Sequence, residues 1–359
     1  MSRPLHGQPA ATSGTQVSYV LPLKAALPVD DEASAYLHWL AKRVDVVVVD
    51  ASSDEVWQAH ERSWGAVVRH MRVDPRWRFR NGKVNGVLTG LWAAAHERVI
   101  LADDDVRYDV AGLDGMAQLL DEHDVVAPQN FYRPLPWPAR YDTARTLVQR
   151  AVAHDFPGTL GIRRSVVRAT GGYDGDVLFE NLELMRTVDA AGGSVRWAPD
   201  LYVRRLPPDP RHFAGQRVRQ AYDEFARPTH LAVSLAVLPG AALALARGRW
   251  RAVVGAAVST ALVAEWGRRR CGGRRYFPWT SSLLAPLWVA ERGVCMWLAV
   301  LRRLEGGVPY GGRRLVRSAS RPCALRRRLR ESAPLSDRGA VVRGSDRLGG
   351  SGWRVPADR

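Results

Sequence analysis

Two short apolar runs that end abruptly in carboxylates constrain the fold more than any other feature of the chain. Val44–Asp50 is a valine run interrupted only by Asp45, and Val99–Ala102 runs straight into Asp103-Asp104-Asp105. Such a run reads as a buried parallel strand whose carboxyl end opens into a loop. In an open α/β sheet, ligands bind at that end. Three adjacent acids repel one another, a divalent cation relieves the repulsion, and hard carboxylate oxygens suit Mg2+ or Mn2+. Alternate residues of an extended chain point the same way, so Asp103 and Asp105 can converge while Asp104 faces elsewhere. For an isolated triplet, an acidic turn or helix cap is the plain alternative.

The surroundings of the triplet favour the sheet. Val17–Leu21 reads as a strand stopped by Pro22, followed by a helical pattern around Ala33–Lys42 and the strand Val44–Asp50. A helix capped by Ser53/Asp54, a third strand at Val67–Val73 and a small-residue helix from Asn81 to about Ala95 precede the strand Val99–Ala102. A helix at Ala111–Glu122, with Asp109 as its cap, and a strand at Asp124–Pro128 continue the alternation. This order predicts a mostly parallel sheet with helices on both faces. Residues 131–158, rich in Pro and aromatics, read as a long irregular segment that shapes a cleft. Beyond it lie a strand at Thr159–Arg164, a helix at Glu180–Ala191 closed by Gly192-Gly193, a strand pair or hairpin at Ser194–Arg205, and an amphipathic helix at His212–Phe225.

The formal charge of +16 suggests nucleic acid until it is divided along the chain. Residues 1–228 hold 28 Lys and Arg against 29 Asp and Glu, a net of −1. Residues 229–359 hold 24 against 7, a net of +17, and all 24 cations are Arg. Apolar segments lie beside this charge, which favours an anionic membrane surface over nucleic acid. Leu231–Ala246 and Ala252–Ala264 carry no charge, and Ser282–Leu301 is apolar except for Glu291 and Arg292. The first two are short for straight spans, so an interfacial or re-entrant hairpin fits as well as two crossings. Basic flanks disfavour an odd number of crossings. Cys271, Cys295 and Cys323 lack any metal or disulfide spacing. The first 16 residues have no apolar core, so no signal peptide is expected. The expected division is a flexible segment 1–16, a catalytic domain 17–228, membrane-associated helices 229–303, a basic juxtamembrane segment 304–330 and a disordered tail 331–359.

Seven motifs in order resemble family 2 glycosyltransferases, above all the membrane-associated, ceramide-glucosyltransferase-like members. Val46-Val-Val-Val-Asp50-Ala-Ser-Ser-Asp54 is similar to the nucleotide-binding turn VVDDGSxD, and Gly82-Lys83-Val-Asn85-Gly86 to GKxxAL. Asp103-Asp104-Asp105 stands where the family has DxD. Gly171-Gly172-Tyr173-Asp174 resembles GGFD, Glu180-Asn-Leu-Glu183-Leu resembles EDxEL, and Gln216-Arg-Val-Arg219-Gln220 resembles QxxRW. Gly306–Arg314 resembles the short basic motif after the last membrane segment. The resemblance implies a GT-A-type nucleotide-diphospho-sugar transferase fold, followed by C-terminal hydrophobic membrane helices. It also implies an inverting transferase that moves a sugar from a nucleotide sugar, a UDP-sugar foremost, to a lipid or glycan acceptor. The catalytic domain is expected on the cytoplasmic face of the cell membrane, with no role in binding nucleic acid.

By motif position, Asp103 and Asp105 hold Mn2+ or Mg2+ as a Lewis acid, and Asp103 also faces the donor. Asp50 and Lys83 contact the donor, and Gln216 and Arg219 face the cleft from one helix, where the planar fork of Arg219 suits the diphosphate. Glu180 or Glu183 takes the acceptor proton. Two positions depart from the family: Asn181 replaces the usual catalytic Asp, and Gln220 replaces the aromatic of QxxRW. The first departure leaves a second reading open, a non-catalytic relative that binds a nucleotide sugar or glycan in a membrane complex.

Overall fold

The computed structural model describes residues 16–332, so the expectations for the N-terminal segment to residue 15 and for the tail from residue 333 lie outside the described residues. One eight-stranded sheet organises the chain: β1 (Val17–Leu23), β2 (Asp45–Asp50), β3 (Arg69–Met71), β4 (Arg98–Ala102), β5 (Val106–Arg107), β6 (Val125–Tyr132), β7 (Thr159–Arg163) and β8 (Val195–Arg205). Their spatial order is β3-β2-β1-β4-β7-β6-β8-β5. The valine run of β2 explains its place inside the sheet, between β3 and β1. Val46 and Val48 enter the core on one face, Val47 and Val49 the core on the other, and all four are buried. A strand covered on both faces needs no polar alternation.

The sheet is mixed, more so than the alternation predicts. β3, β2, β1 and β4 are parallel, and β6 is parallel to β8. β7 runs antiparallel between β4 and β6, and β5 antiparallel along β8. Hydropathy marks which segments are strands but not the direction in which each re-enters. β1 passes through Pro22, which pairs with Val49 and does not end the strand. Ser194–Arg205 is no hairpin: β8 is one strand whose register with β6 slips between Ala198 and Tyr202. The segment 131–158 also differs from its irregular reading, because Trp137–Val152 is a helix. Its prolines cluster at the N-terminus, where the missing N–H costs nothing.

The helix Gly82–Ala93 sets the depth of the site. A Cβ on Gly86 would lie 2.9 Å from the Pro22 side chain, and one on Gly90 would strike Val20, so the helix sits directly on β1. Its N-cap Asn81 accepts from the Lys83 N–H at 3.1 Å and aims this end of the helix at the carboxyl edge of the sheet.

C-terminal to residue 227 the chain forms helices at Pro228–Ala246, Trp250–Arg269 and Ala285–Leu304, with a short one at Trp279–Leu283. Among the described residues, Pro228–Ala246 is the one helix long and apolar enough to cross a membrane. The other two long helices are docked on the sheet domain. Gly267 lies against the backbone of Leu147 and Ala151, leaving no room for a side chain. Glu291 accepts from Arg217 and from the Tyr141 hydroxyl at 2.7 Å, and Arg217 also reaches Asp142 at 3.1 Å.

Replacing Gly90 by Ala forces overpacking between the helix and β1. The expected loss is about 1–3 kcal/mol of unfolding free energy, measured by denaturant titration.

Candidate functional site

A cleft of about 840 Å³ opens at the carboxyl ends of β1, β2 and β4. Three elements bring charge into it. The loop after β4 supplies Asp103, Asp104 and Asp105, the helix Gly82–Ala93 supplies Lys83, and the helix Glu180–Ala190 supplies Glu180. Lys83 Nζ lies 2.5 Å from Asp103 Oδ1 and 2.8 Å from Glu180 Oε1. Burial works against its charge, but the two acids outweigh it and hold the ammonium well above its usual range. Lys83 is therefore a permanent cation between two walls of the cleft.

Arg205, at the end of β8, completes the set. Its Nε lies 2.8 Å from both oxygens of Asp105, and its Nη2 lies 3.3 Å from Asp103 Oδ2. The pairing of Val106 with Arg205 fixes that position. Burial raises the Asp103 carboxyl, yet Lys83 and Arg205 outweigh it and the net shift is downward. Asp105 goes the other way, because burial, with Asp103 and Asp104 beside it, exceeds the pull of Arg205. Two carboxylates meeting one guanidinium also lie within reach of one metal ion. Gly158 keeps the space open, since a Cβ there would lie 2.8 Å from Asp103 Oδ2 and 2.9 Å from Arg205 Cζ. Hard oxygens, convergence and an open cradle fit Mg2+ or Mn2+, provided Arg205 gives up an edge of its carboxylates.

Asp50 departs from its expected place on the donor. Its side chain is fully buried, whereas the flanking Val49 and Ala51 line the cleft. The carboxylate meets His60 Nδ1 at 2.6 Å and His70 Nε2 at 3.2 Å, and accepts from the Ser52 N–H at 2.8 Å. Burial opposes its ionisation, but these hydrogen bonds hold it well below the usual carboxylate range. The three side chains lie close enough to hold a metal. However, the Val29 N–H points at His60 Nε2 at 3.1 Å, which puts the ring proton on Nδ1, towards Asp50. A metal on Nδ1 would set Nε2–H against that N–H, so the cluster is a hydrogen-bonded strut joining β2, β3 and the helix Asp54–Trp64.

Of the two proposed bases, only Glu180 lines the cleft. Glu183 is fully buried and accepts from the Ser320 N–H at 2.6 Å, beneath the segment after the hairpin 308–315. Burial pushes its carboxyl up, only partly offset by Ser320. The i,i+3 spacing that suggested a shared face sets the pair on two sides of the helix start, one wet and one dry. Asn181 lines the cleft and donates to the Pro157 carbonyl at 3.0 Å.

Gln216 and Arg219 both reach the cleft, as their spacing implied. Gln216 contacts His212, and the Arg219 guanidinium lies 5.2 Å from the Tyr310 ring centroid. Further residues line the cleft without a place in any of the motifs, Arg205, Asp223 and Arg292 among them. An Arg-Arg pair closing a strand before Pro207-Pro208 was a usable signal for the first. Asp223 and Arg292 had none, because their relevance depends on packing between distant helices.

No family model matches the chain, and no curated protein matches it. Among solved structures, a mannosyltransferase from Pyrobaculum calidifontis in complex with GDP-Man and Mn2+ is 18% identical over 82% of this chain and 90% of that one, with a TM-score of 0.46. A glucosyl-3-phosphoglycerate synthase from Mycobacterium tuberculosis, in complex with Mn2+, UDP and glucosyl-3-phosphoglycerate, is 20% identical over 57% and 76%, with a TM-score of 0.38. A mycobacterial protein is 19% identical over 59% and 74%, with a TM-score of 0.40.

Removing the Arg205 guanidinium leaves two partly buried carboxylates facing each other. Arg205→Met is expected to lose about 1–3 kcal/mol at neutral pH. The loss should shrink as pH falls, because a protonated carboxyl no longer needs the cation. Added Mn2+ should raise the melting temperature of the variant more than that of the parent, as read by thermal denaturation across pH.

Proposed function

We propose that the protein is a glycosyltransferase that moves a sugar from a nucleoside-diphosphate sugar to a hydroxyl of a lipid-linked or membrane-proximal acceptor. One observation carries the reading: Asp103 and Asp105 converge on a single cation at the carboxyl edge of the sheet, inside a cleft large enough for a nucleotide sugar. The order of motifs similar to family 2 transferases supports it. Asp103 and Asp105 would hold Mg2+ or Mn2+, and the ion would supply charge neutralisation for the departing diphosphate. Lys83 and Arg219 bring fixed cations to the same leaving group. Val49 and Ala51, the neighbours of Asp50, line the same cleft and offer their backbone to the nucleoside. The hydroxyl loses its proton to a carboxylate that lines the cleft outside the acidic loop, where Glu180 and Asp223 lie. With one base and no protein nucleophile, attack proceeds by direct displacement with inversion at the anomeric carbon.

The acceptor class follows from the C-terminal helices. Trp250, Val254, Val258, Leu262 and Trp266 recur every fourth residue, and each is more than half exposed. Leu287, Trp297, Leu301 and Leu304 carry exposed apolar surface along the helix Ala285–Leu304. Arg247, Arg249 and Arg251 border the first stripe. Apolar stripes flanked by arginine suit the interface of an anionic membrane, and Pro228–Ala246 is long and apolar enough to cross one. We assign the protein to the cell membrane, with its cleft on the cytoplasmic face.

A second reading, a non-catalytic nucleotide-sugar binder, draws on Asn181 in place of the family's catalytic acid. Two experiments separate these readings. In a thermal-shift screen of nucleoside diphosphates with and without Mn2+, one nucleotide should stabilise the protein only with metal, and Asp105→Ala should abolish the effect. Transfer or donor hydrolysis should fall at least about 100-fold in the same variant. Binding without turnover in parent and variant alike sinks the enzyme reading. For the membrane, Leu262→Glu combined with Trp266→Glu should reduce co-sedimentation with anionic vesicles about tenfold or more without lowering the melting temperature.

A further inference from the structure

The family's base position is Asn181, so the group that deprotonates the acceptor must come from elsewhere in the cleft. Asn181 is tied to the Pro157 carbonyl, Glu180 to Lys83 at 2.8 Å, and Glu183 lies buried away from the cleft under Ser320. Asp103 and Asp105 share Arg205, and Asp104, which also lines the cleft, is exposed to solvent. Asp223 differs from all of these. It lines the cleft at the start of the turn Asp223–Ala226, and among the described residues it has no ion pair within 4 Å. Its Oδ1 is sealed from solvent without a hydrogen-bond partner. The residue as a whole is partly exposed, at the cleft it lines.

We infer that Asp223 is the general base of the transfer, taking the place vacated at Asn181. This assignment rests on the transferase reading above. The acceptor O–H gives its proton to the Asp223 carboxylate while the oxygen forms a bond to the anomeric carbon. The bond from that carbon to the diphosphate oxygen breaks, and its electron pair leaves with the nucleoside diphosphate. The carboxyl then releases its proton to solvent.

The groups around Asp223 suit the task. Arg219 faces it from the helix Pro210–Tyr222, Glu180 from the helix Glu180–Ala190, and Arg292 from the helix Ala285–Leu304; Arg227 and Glu224 share its own turn. Burial pushes the carboxyl up to about 7, with Arg219 and Arg227 pulling down and Glu180 and Glu224 pushing up. A base is most effective when its pKa lies near the working pH. Arg292 also links this wall to a helix whose outer side carries the apolar surface described above, so a membrane-held hydroxyl would approach from the Asp223 side.

The test compares pH profiles of kcat/KM for the parent, Asp223→Asn, Asp223→Glu and Glu180→Gln, with donor affinity and melting temperature measured on each. The parent should show activity rising with pH through an apparent value near 7. Asp223→Asn should lose about 100-fold or more in kcat and lose that limb, while binding donor and metal as the parent does. It should also melt no lower than the parent, because an unpartnered buried carboxylate is removed. Asp223→Glu should keep a limb, displaced in pH, and part of the rate. Glu180→Gln should keep the limb and move it to lower pH, because one of the charges that pushes Asp223 up is gone. Asp223→Asn with parental rate and limb overturns the inference, as does a limb that vanishes in Glu180→Gln instead. Should the parent bind donor yet transfer nothing to any acceptor or water, the transferase reading itself fails, a separate outcome from these two.

Discussion

The Arg205 guanidinium, shared by Asp103 and Asp105, is the interaction on which the site depends. Without a cation between them, two carboxylates at the end of one strand would repel each other and splay the loop after β4. Lys83 extends the pattern by joining Asp103 to Glu180, so alternating charges run from the strand β8 across to the helix Glu180–Ala190. Each member is fixed by backbone elsewhere: Arg205 by the register with Val106, Lys83 by the Asn81 cap, and the acids by the end of β4. Preorganised charge of this kind needs no reorganisation when a charged ligand binds, which is how electrostatic stabilisation becomes efficient.

The same economy of buried charge connects the cleft to the C-terminal helices. Arg217 binds both Asp142 and Glu291, and Tyr141 donates to Glu291, so the sheet domain and the helix Ala285–Leu304 share one polar knot. Arg150 donates to the Gly267 carbonyl at 3.2 Å and to that of Arg270 at 2.8 Å, which holds the end of the helix Trp250–Arg269 against the same domain. These contacts orient the apolar stripes relative to the cleft. One of the helices that carry these stripes, Ala285–Leu304, also contributes Arg292 to the cleft wall.

Periodic features were legible in the sequence, and long-range geometry was not. The valine run of β2 and the acids after β4 announced buried strands opening into a cleft, because burial on both faces leaves a mark in composition. The spacing of Gln216 and Arg219 placed both in the cleft. Asp50 looked the same as Asp103 by that logic, at the end of a buried strand, yet its carboxylate is claimed by His60 and His70, residues that local patterning does not connect to it. Glu180 and Glu183 shared a helix start but not an environment, since Ser320 lies 137 positions away from Glu183. The direction of β7, the register slip in β8 and the partnership of Arg205 with the acids arise only when distant segments meet.

The most direct test of this account is anomalous diffraction at the manganese edge from crystals grown with Mn2+ and the stabilising nucleoside diphosphate. The account predicts one strong peak between Asp103, Asp105 and the diphosphate, with Arg205 drawn off at least one of the two carboxylates. A diphosphate ordered on Lys83 and Arg205 with no peak beside it, or a peak confined to Asp50, His60 and His70, would contradict it.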